Sequence, residues 1–301
     1  MLTTPNFIYH TSFSYHMNTI ICRYGELALK GKNRHLFEAR LVHNIKDCII
    51  KNNLKAKVHK VRGRIYLETS DQDAINHIKN IFGLVSISSA VSTENNIDQI
   101  KEAVLEYIES LPNKDQIKTF RITTNRTNKQ FHKKSNEMNI ILGDAVNKKY
   151  GFGVKLKDSD LNIGVEIHQN TFIYHDKIPC HGGLPLGISG NVIAIVRNVN
   201  DLLAAWLFMK RGCKIIPVTF KDEDISILQK YAYGANVVPT TIKTIEEIDE
   251  FAAKNNCRAV VVGDVLGDFD PEDYNSITSQ ILTPLIIYDK QDIDNLLEKI
   301  S

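Results

Sequence analysis

Between Lys118 and Lys134 the chain carries six Lys or Arg residues, no acid, His132, and the aromatic residues Phe120 and Phe131. Cations held together on a folded surface release counterions from a phosphate backbone, and exposed rings offer stacking faces to unpaired bases. Lys118, Arg121, Arg126, Lys129, Lys133 and Lys134 are therefore candidate RNA contacts. The same letters also fit a plainer arrangement, with both phenylalanines in the core and the lysines solvating a rim. A second basic string, Arg23-Tyr24-Gly25-Glu26-Leu27-Ala28-Leu29-Lys30-Gly31-Lys32-Asn33-Arg34, joins a strand-like run to a helix-like one. Its glycines permit turns, and Arg23, Lys30, Lys32 and Arg34 bracket a loop suited to phosphate contacts. A helix-capping loop explains that string less specifically.

Other chemistry is poorly served. The five cysteines, Cys22, Cys48, Cys180, Cys213 and Cys257, form no C-x-x-C pair, so neither a zinc knuckle nor a redox motif is expected. His168, His175, Cys180 and His181 lack regular ligand spacing, and no metal site is assigned. The Gly-rich segment at 182–190 has no Gly-Lys-Ser/Thr ending and is not a Walker loop.

The elements that must position these residues fall into three units. At 301 residues, 43% hydrophobic and 24% charged, the chain has the composition of a globular protein of two or three cores. Its net charge of +2 conceals a division: residues 221–301 hold 7 Lys/Arg against 16 Asp/Glu, and residues 1–220 hold 30 against 19. The basic front suggests a polyanionic partner, whereas a solvated charged surface is the plain reading. No apolar run is long enough for a membrane span. Residues 1–16 lack the pattern of a secretory signal, so a cytoplasmic location is expected.

Apolar and β-prone residues give a strand over 19–23. A helix over 34–52 follows, with Leu36, Ala39, Arg40, His43, Ile45 and Ile49 in rough helical spacing. Strands over 58–60 and 64–69, a helix over 71–81 and a strand over 84–91 complete a β-α-β-β-α-β, ferredoxin-like order. Next come a helix from Ile97, a strand over 119–123, an amphipathic helix over 135–149 ended by Gly151, and a strand pair over 161–167 and 171–174. Past the breaker-rich linker, strands over 192–196, 214–220, 259–262 and 285–288 alternate with helices over 202–210 and 245–254. Such alternation predicts a doubly wound parallel sheet, whose ligands sit at the carboxyl ends of the strands. The loop after Val196 is where its chemistry is to be sought.

The string Arg23–Arg34 resembles the opening signature of the tRNA 4-thiouridine synthetases, thiamine-pathway sulfurtransferases, in which it lies close to the initiator methionine. Thr119-Phe120-Arg121-Ile122, Arg126, Lys129, Phe131, Ser135, Leu142-Gly143, Val154–Leu156, Asp160 and Val165-Glu166-Ile167 resemble that family's THUMP domain. Gly182–Gly190 is similar to its Gly-Gly-Leu-Pro linker, Met209–Gly212 to its next helix end, and Val262–Gly267 and Pro284–Lys290 to two further blocks. The resemblance implies a ferredoxin-like domain over 17–72, an α/β THUMP domain over 73–178, and a truncated Rossmann-like pyrophosphatase domain over 179–301. Residues 1–16 would be a disordered extension, with Met17 as the natural start. The first two domains would together hold the tRNA acceptor region by its 3′ end.

The resemblance fails where the family does its chemistry. The family's Ser-Gly-Gly-Ile-Asp-Ser loop, whose backbone amides close on ATP phosphates, falls on Val196, Arg197, Asn198, Val199, Asn200 and Asp201. The family's later cysteine and rhodanese domain have no counterpart before Ser301, and Gly267-Asp268-Phe269-Asp270 departs from a further block. The expectation is a tRNA-binding protein without thiolation activity of its own, needing no cofactor, with tRNA and a separate tRNA-modifying enzyme as partners, no membrane, and a homodimer left open. The alternatives are an ATP- and Mg2+-dependent uridine-thiolating enzyme fed by a separate sulfur carrier, and a small-ligand or interaction protein unrelated to RNA.

Overall fold

A computed structural model describes residues 19–26, 31–61 and 63–301. The expected extension over 1–16, the start at Met17, and Lys30 lie outside the described residues. By compactness the described chain divides into two units, one of residues 19–21, 68–70 and 88–177, the other of residues 22–67, 71–87 and 178–301.

The amino-terminal elements are β1 (Thr19–Tyr24), α1 (Arg34–Lys51), β2 (Ala56–Val61), β3 (Arg64–Thr69), α2 (Ala74–Ile78) and β4 (Leu84–Thr93), with strand order β2-β3-β1-β4. This is the expected ferredoxin-like order. The face that α1 buries shares only Ile45 with the expected one, because Glu38, Leu41, Asn44, Ile45 and Cys48 point inward while Leu36 is 52% exposed. Two of those inward residues are polar and disguise the stripe. Glu38 accepts hydrogen bonds from the Tyr24 hydroxyl at 2.6 Å and Arg34 Nε at 2.7 Å, and pairs with Lys60 at 2.6 Å. Asn44 donates to the Leu186 carbonyl at 3.2 Å.

The THUMP-like elements are α3 (Ile97–Glu109), β5 (Thr119–Arg126), α4 (Ser135–Tyr150), β6 (Gly153–Val154), β7 (Leu161–Ile167) and β8 (Thr171–Tyr174). The Asn96 side chain caps α3 by accepting from the Asp98 and Gln99 amides, as a short polar residue does at that position. Gly151 ends α4 in the left-handed region at φ 71°, where a Cβ would cost energy. β5 runs parallel to β7, which pairs antiparallel with β8. Ile100, Val104 and Ile108 of α3 meet Met138, Leu142 and Val146 of α4 and alternate residues of β5 and β7 in one core.

The last elements are β9 (Ile178–Pro179), β10 (Asn191–Val196), α5 (Val199–Lys210), β11 (Lys214–Thr219), α6 (Ser226–Gln229), β12 (Thr240–Thr241), α7 (Ile248–Lys254), β13 (Cys257–Val261), β14 (Ile281–Leu282) and α8 (Lys290–Ile300). Five of the strands form a sheet in the order β12-β11-β10-β13-β14, parallel throughout. Val192, Ala194 and Val196 enter one core with α5 and α8, while Ile193 and Ile195 enter another with α7. Burial on both faces explains why β10 reads as an unbroken apolar run rather than an alternating one.

The strand expected over 285–288 is a turn. Pro284 has no N–H to lend a ladder, and the Tyr288 amide bonds back to the Leu285 carbonyl at 3.0 Å. α8, which had no expected counterpart, follows it.

Candidate functional site

β11 and β13 lie on opposite sides of β10, so the crevice past the carboxyl ends of β10 and β13 is the switch point of the sheet. Val196, the last residue of β10, is buried. Asn198 is extended at φ −156° and caps α5, its side-chain oxygen accepting from the Asn200 amide at 2.9 Å and the Asp201 amide at 3.2 Å. Two amides that a glycine loop would present to an anion are thus satisfied by the chain itself. Val199 is 52% exposed.

Arg197 fills the crevice. Its guanidinium donates to Asp201 from Nε at 3.1 Å and from Nη2 at 3.0 Å, to Asp264 Oδ1 from Nη2 at 2.8 Å, and to the Tyr274 hydroxyl from Nη1 at 3.0 Å. Tyr274 in turn donates to the other Asp264 oxygen. Asp201, with no exposed side chain, also accepts from the backbone amides of Arg197 at 2.9 Å and Gly263 at 2.6 Å. Gly263 is required there, since a Cβ would collide with the backbone of Asn200 and Asp201. Burial opposes the charge on Arg197, but the hydrogen bond and charge of Asp201 outweigh it and push its pKa up. Tyr274 is raised as well, by burial and then by its bond to Asp264.

A triphosphate needs free amides, mobile cations and close backbone approach. At Val196–Asp201 the cation is committed to two carboxylates, the amides are capped, and Arg197 and Asn198 carry side chains where the backbone must come near. These residues do not fit ATP.

The second candidate surface is the outer face of β5. Phe120, Ile122 and Thr124 face inward, leaving Arg121, Thr123 and Asn125 outward. Arg121 donates to the Leu156 carbonyl at 2.9 Å and lines a shallow cleft with Lys157, Asp158, Ser159 and Asn162. Lys118, Lys129 and Lys134 are exposed. Asp160 holds the start of β5 through the Lys118 and Thr119 amides at 3.1 and 2.8 Å, and these bonds lower its own pKa.

Several expected contacts have other duties. Phe120 and Phe131 are core residues, 1% and 5% exposed, so neither ring is available for stacking. Arg126 is turned onto its own loop, donating to the Phe131 carbonyl at 2.7 Å, and Lys133 pairs with Glu137 at 3.3 Å. Within the other unit Arg23 is buried at 6% and is withdrawn as a surface contact. Arg34 is tied to Glu38, whereas Lys32 is exposed. Lys155 and Lys157 were not among the expected contacts; the run Lys155-Leu156-Lys157, with Leu156 74% exposed, was the available signal.

All five thiols lie above the ordinary thiol range. Burial pushes Cys48 and Cys180 up to about 12 and raises Cys22, Cys213 and Cys257, which keeps the nucleophilic thiolate scarce. Among the described residues no group of three or more His, Cys, Asp or Glu side chains stands where it could hold a metal ion. No described helix is long and apolar enough to cross a membrane.

Comparison with known proteins returns two domains: the ThiI ferredoxin-like domain over residues 19–88 and the THUMP domain over 94–176. The chain is 31% identical to a probable tRNA sulfurtransferase of Finegoldia magna, over 92% of this chain and 83% of that protein. It is 32% identical to one of Methanobrevibacter smithii, over 94% and 86%. The Finegoldia alignment runs over 326 positions, more than the 301 residues of this chain, so segments of that relative have no counterpart here. Among solved structures, PH1313 from Pyrococcus horikoshii superposes with a TM-score of 0.86 at 28% identity, covering 94% of this chain and 99% of that one. A 4-thiouridine synthetase in complex with RNA and bound ATP shares the fold, with a TM-score of 0.81 at 22% identity over 95% and 85%.

Proposed function

Since the chain belongs to the tRNA sulfurtransferase family, we propose that it binds tRNA and carries out no thiolation of its own. The observation that carries this reading is the Arg197 clasp. Activating a uracil carbonyl with ATP requires the β- and γ-phosphates to be held while the α-phosphorus is attacked, which is work for preorganised donors and cations. Here the guanidinium at that position is spent on Asp201 and Asp264, and the helix amides are spent on Asn198. With one cation against two carboxylates, the crevice repels a polyanion.

For RNA, the THUMP domain, the exposed cations Lys118, Lys129, Lys134 and Lys157 and the half-buried Arg121 support phosphate contact from that unit, and Lys32 does so from the other. The bound RNA of the 4-thiouridine synthetase of like fold agrees with the same partner. A tRNA-binding chain without nucleotide chemistry serves by presenting tRNA to a separate modifying enzyme.

The test is transfer of radiolabelled sulfur to a tRNA transcript, with ATP, Mg2+ and a cysteine desulfurase supplied, alongside tRNA binding by filter retention. We expect binding without incorporation. Incorporation above a no-protein control would establish an ATP-dependent enzyme in its place, and absence of tRNA binding would remove the RNA reading.

A further inference from the structure

Beside the Arg197 clasp, at the same end of the parallel sheet, the surface turns apolar. Val199 at the start of α5, Leu266 after β13, Ile287 and Tyr288 in the turn before α8, and Leu297 on α8 line one open cleft. Three of the ten exposed large hydrophobic residues among the described residues converge here, and two of them, Ile287 at 82% and Leu266 at 76%, are the most exposed of all ten. Scattered apolar side chains need no explanation, but a contiguous exposed group marks an interaction surface.

Charge decides what it takes. Asp289 and Asp294 also line the cleft, against a single cation, Lys290, and Asp268 follows Gly267 directly. Residues 221–301 as a whole carry 16 acids against 7 Lys/Arg. A negative rim repels RNA. It also opposes a two-fold contact between copies of this chain through this face, because such a contact sets acid against acid.

We propose that this cleft docks a partner protein through a cationic amphipathic segment, its apolar side chains seated on Leu266 and Ile287 and its Lys or Arg residues meeting the acidic rim. Helices recognised in this way place anchors at i, i+3, i+4 and i+7 on an apolar groove. The need for such a partner rests on the reading of this chain as a presenter of tRNA; the surface itself stands on its exposure and charge.

The experiment titrates a labelled Leu/Lys peptide of about five helical turns, in amphipathic register, into the full chain and follows anisotropy. Saturable one-to-one binding is expected, about tenfold weaker or worse for the same composition in scrambled register, and lost when Glu replaces Lys. The double variant Leu266→Asp/Ile287→Asp is expected to weaken binding by about tenfold or more, with its thermal midpoint unchanged because both side chains are exposed. Ile50→Asp, at a residue 73% exposed but outside the cleft, is expected to have no effect. Equal affinity for the scrambled peptide, or for the double variant, would overturn the proposal. Self-association in sedimentation that the double variant abolishes would make the occupant a second copy, and loss of tRNA affinity in that variant would make it RNA; either overturns it. Wild-type tRNA affinity is measured in parallel, so that failure of RNA binding is told apart from failure of the docking surface.

Discussion

Arg197→Ala removes the cation that joins Asp201, Asp264 and Tyr274. Taking one partner from a buried ion pair costs roughly 3–5 kcal/mol, because the remaining charge is left uncompensated. Two features reduce that figure here. The Arg197 side chain is 34% exposed, so water screens part of the pair, and Asp201 keeps two backbone donors, the Arg197 and Gly263 amides. We expect a loss of about 2–3 kcal/mol, which for a unit of this size is a fall of roughly 4–12 °C in thermal midpoint. Urea unfolding of Arg197→Ala, Asp201→Asn and the double variant forms the assay. If the three groups act as one clasp, the double variant costs less than the sum of the singles by about 1 kcal/mol or more. A single-variant loss below about 0.5 kcal/mol, or strict additivity, would refute the clasp as an internal substitute for a ligand.

Four further outcomes are expected elsewhere in the chain. Burial would raise the pKa of Glu38, but its bonds with Lys60, Tyr24 and Arg34 hold it down at about 2 against an ordinary 4.5; its stabilising contribution is therefore present above pH 4.5 and lost as pH falls toward 2. Glu38→Gln is expected to remove about 2–3 kcal/mol from that acid limb of the stability curve, read by urea midpoints between pH 2 and 7. Gly234, at φ 84°, leaves no room for a Cβ against the Asn44 side chain, so Gly234→Ala is expected to cost about 2 kcal/mol or more, part of it recovered in the Asn44→Ala background. On the RNA side, Arg121→Ala and Lys157→Ala should each lower the slope of log K against log salt by about 0.7–0.9, whereas Arg126→Ala should cost about 1 kcal/mol of stability through its lost bond to the Phe131 carbonyl.

Elements with strong periodicity were legible in the sequence. α3 and α4 show their apolar stripes and β10 its unbroken run, while the ferredoxin-like order follows from the succession of strands and helices over 19–91 and the doubly wound order from the alternation after residue 190. Legibility failed where tertiary contacts override local pattern. The buried face of α1 includes Glu38 and Asn44, whose partners lie 22 residues on at Lys60 and 142 residues on at Leu186, so no window of sequence marks them as core. Phe120 and Phe131 sit among cations, so the sequence fits either a stacking surface or a core, and it is the core that their rings join. The residues of the crevice at 196–201 were named in sequence, but the partners that hold Arg197 there were not, because Asp264 and Tyr274 stand 67 and 77 residues from it.

Those distant partners explain how the crevice holds together around its own acids. At a switch point the loops after β10 and β13 diverge, and Asp201 is buried between them with both carboxylate oxygens requiring donors. A bound phosphate and its cations can order such loops; without them the buried Asp201 and the mostly buried Asp264 would stand uncompensated. Arg197 supplies one cation from the loop itself, and Tyr274 adds a hydroxyl that both donates to Asp264 and accepts from Arg197. On the reading proposed above, the Arg197 side chain that opposes a triphosphate also supplies a cation to Asp201 and Asp264. It follows that changing Arg197 and Asn198 to glycine would reopen the backbone while stripping the cation and the helix cap, leaving Asp201 and Asp264 to repel the phosphates. Recovery of nucleotide binding therefore requires those acids to be neutralised or given a metal, and the two glycines alone should yield a less stable protein that still does not hold ATP.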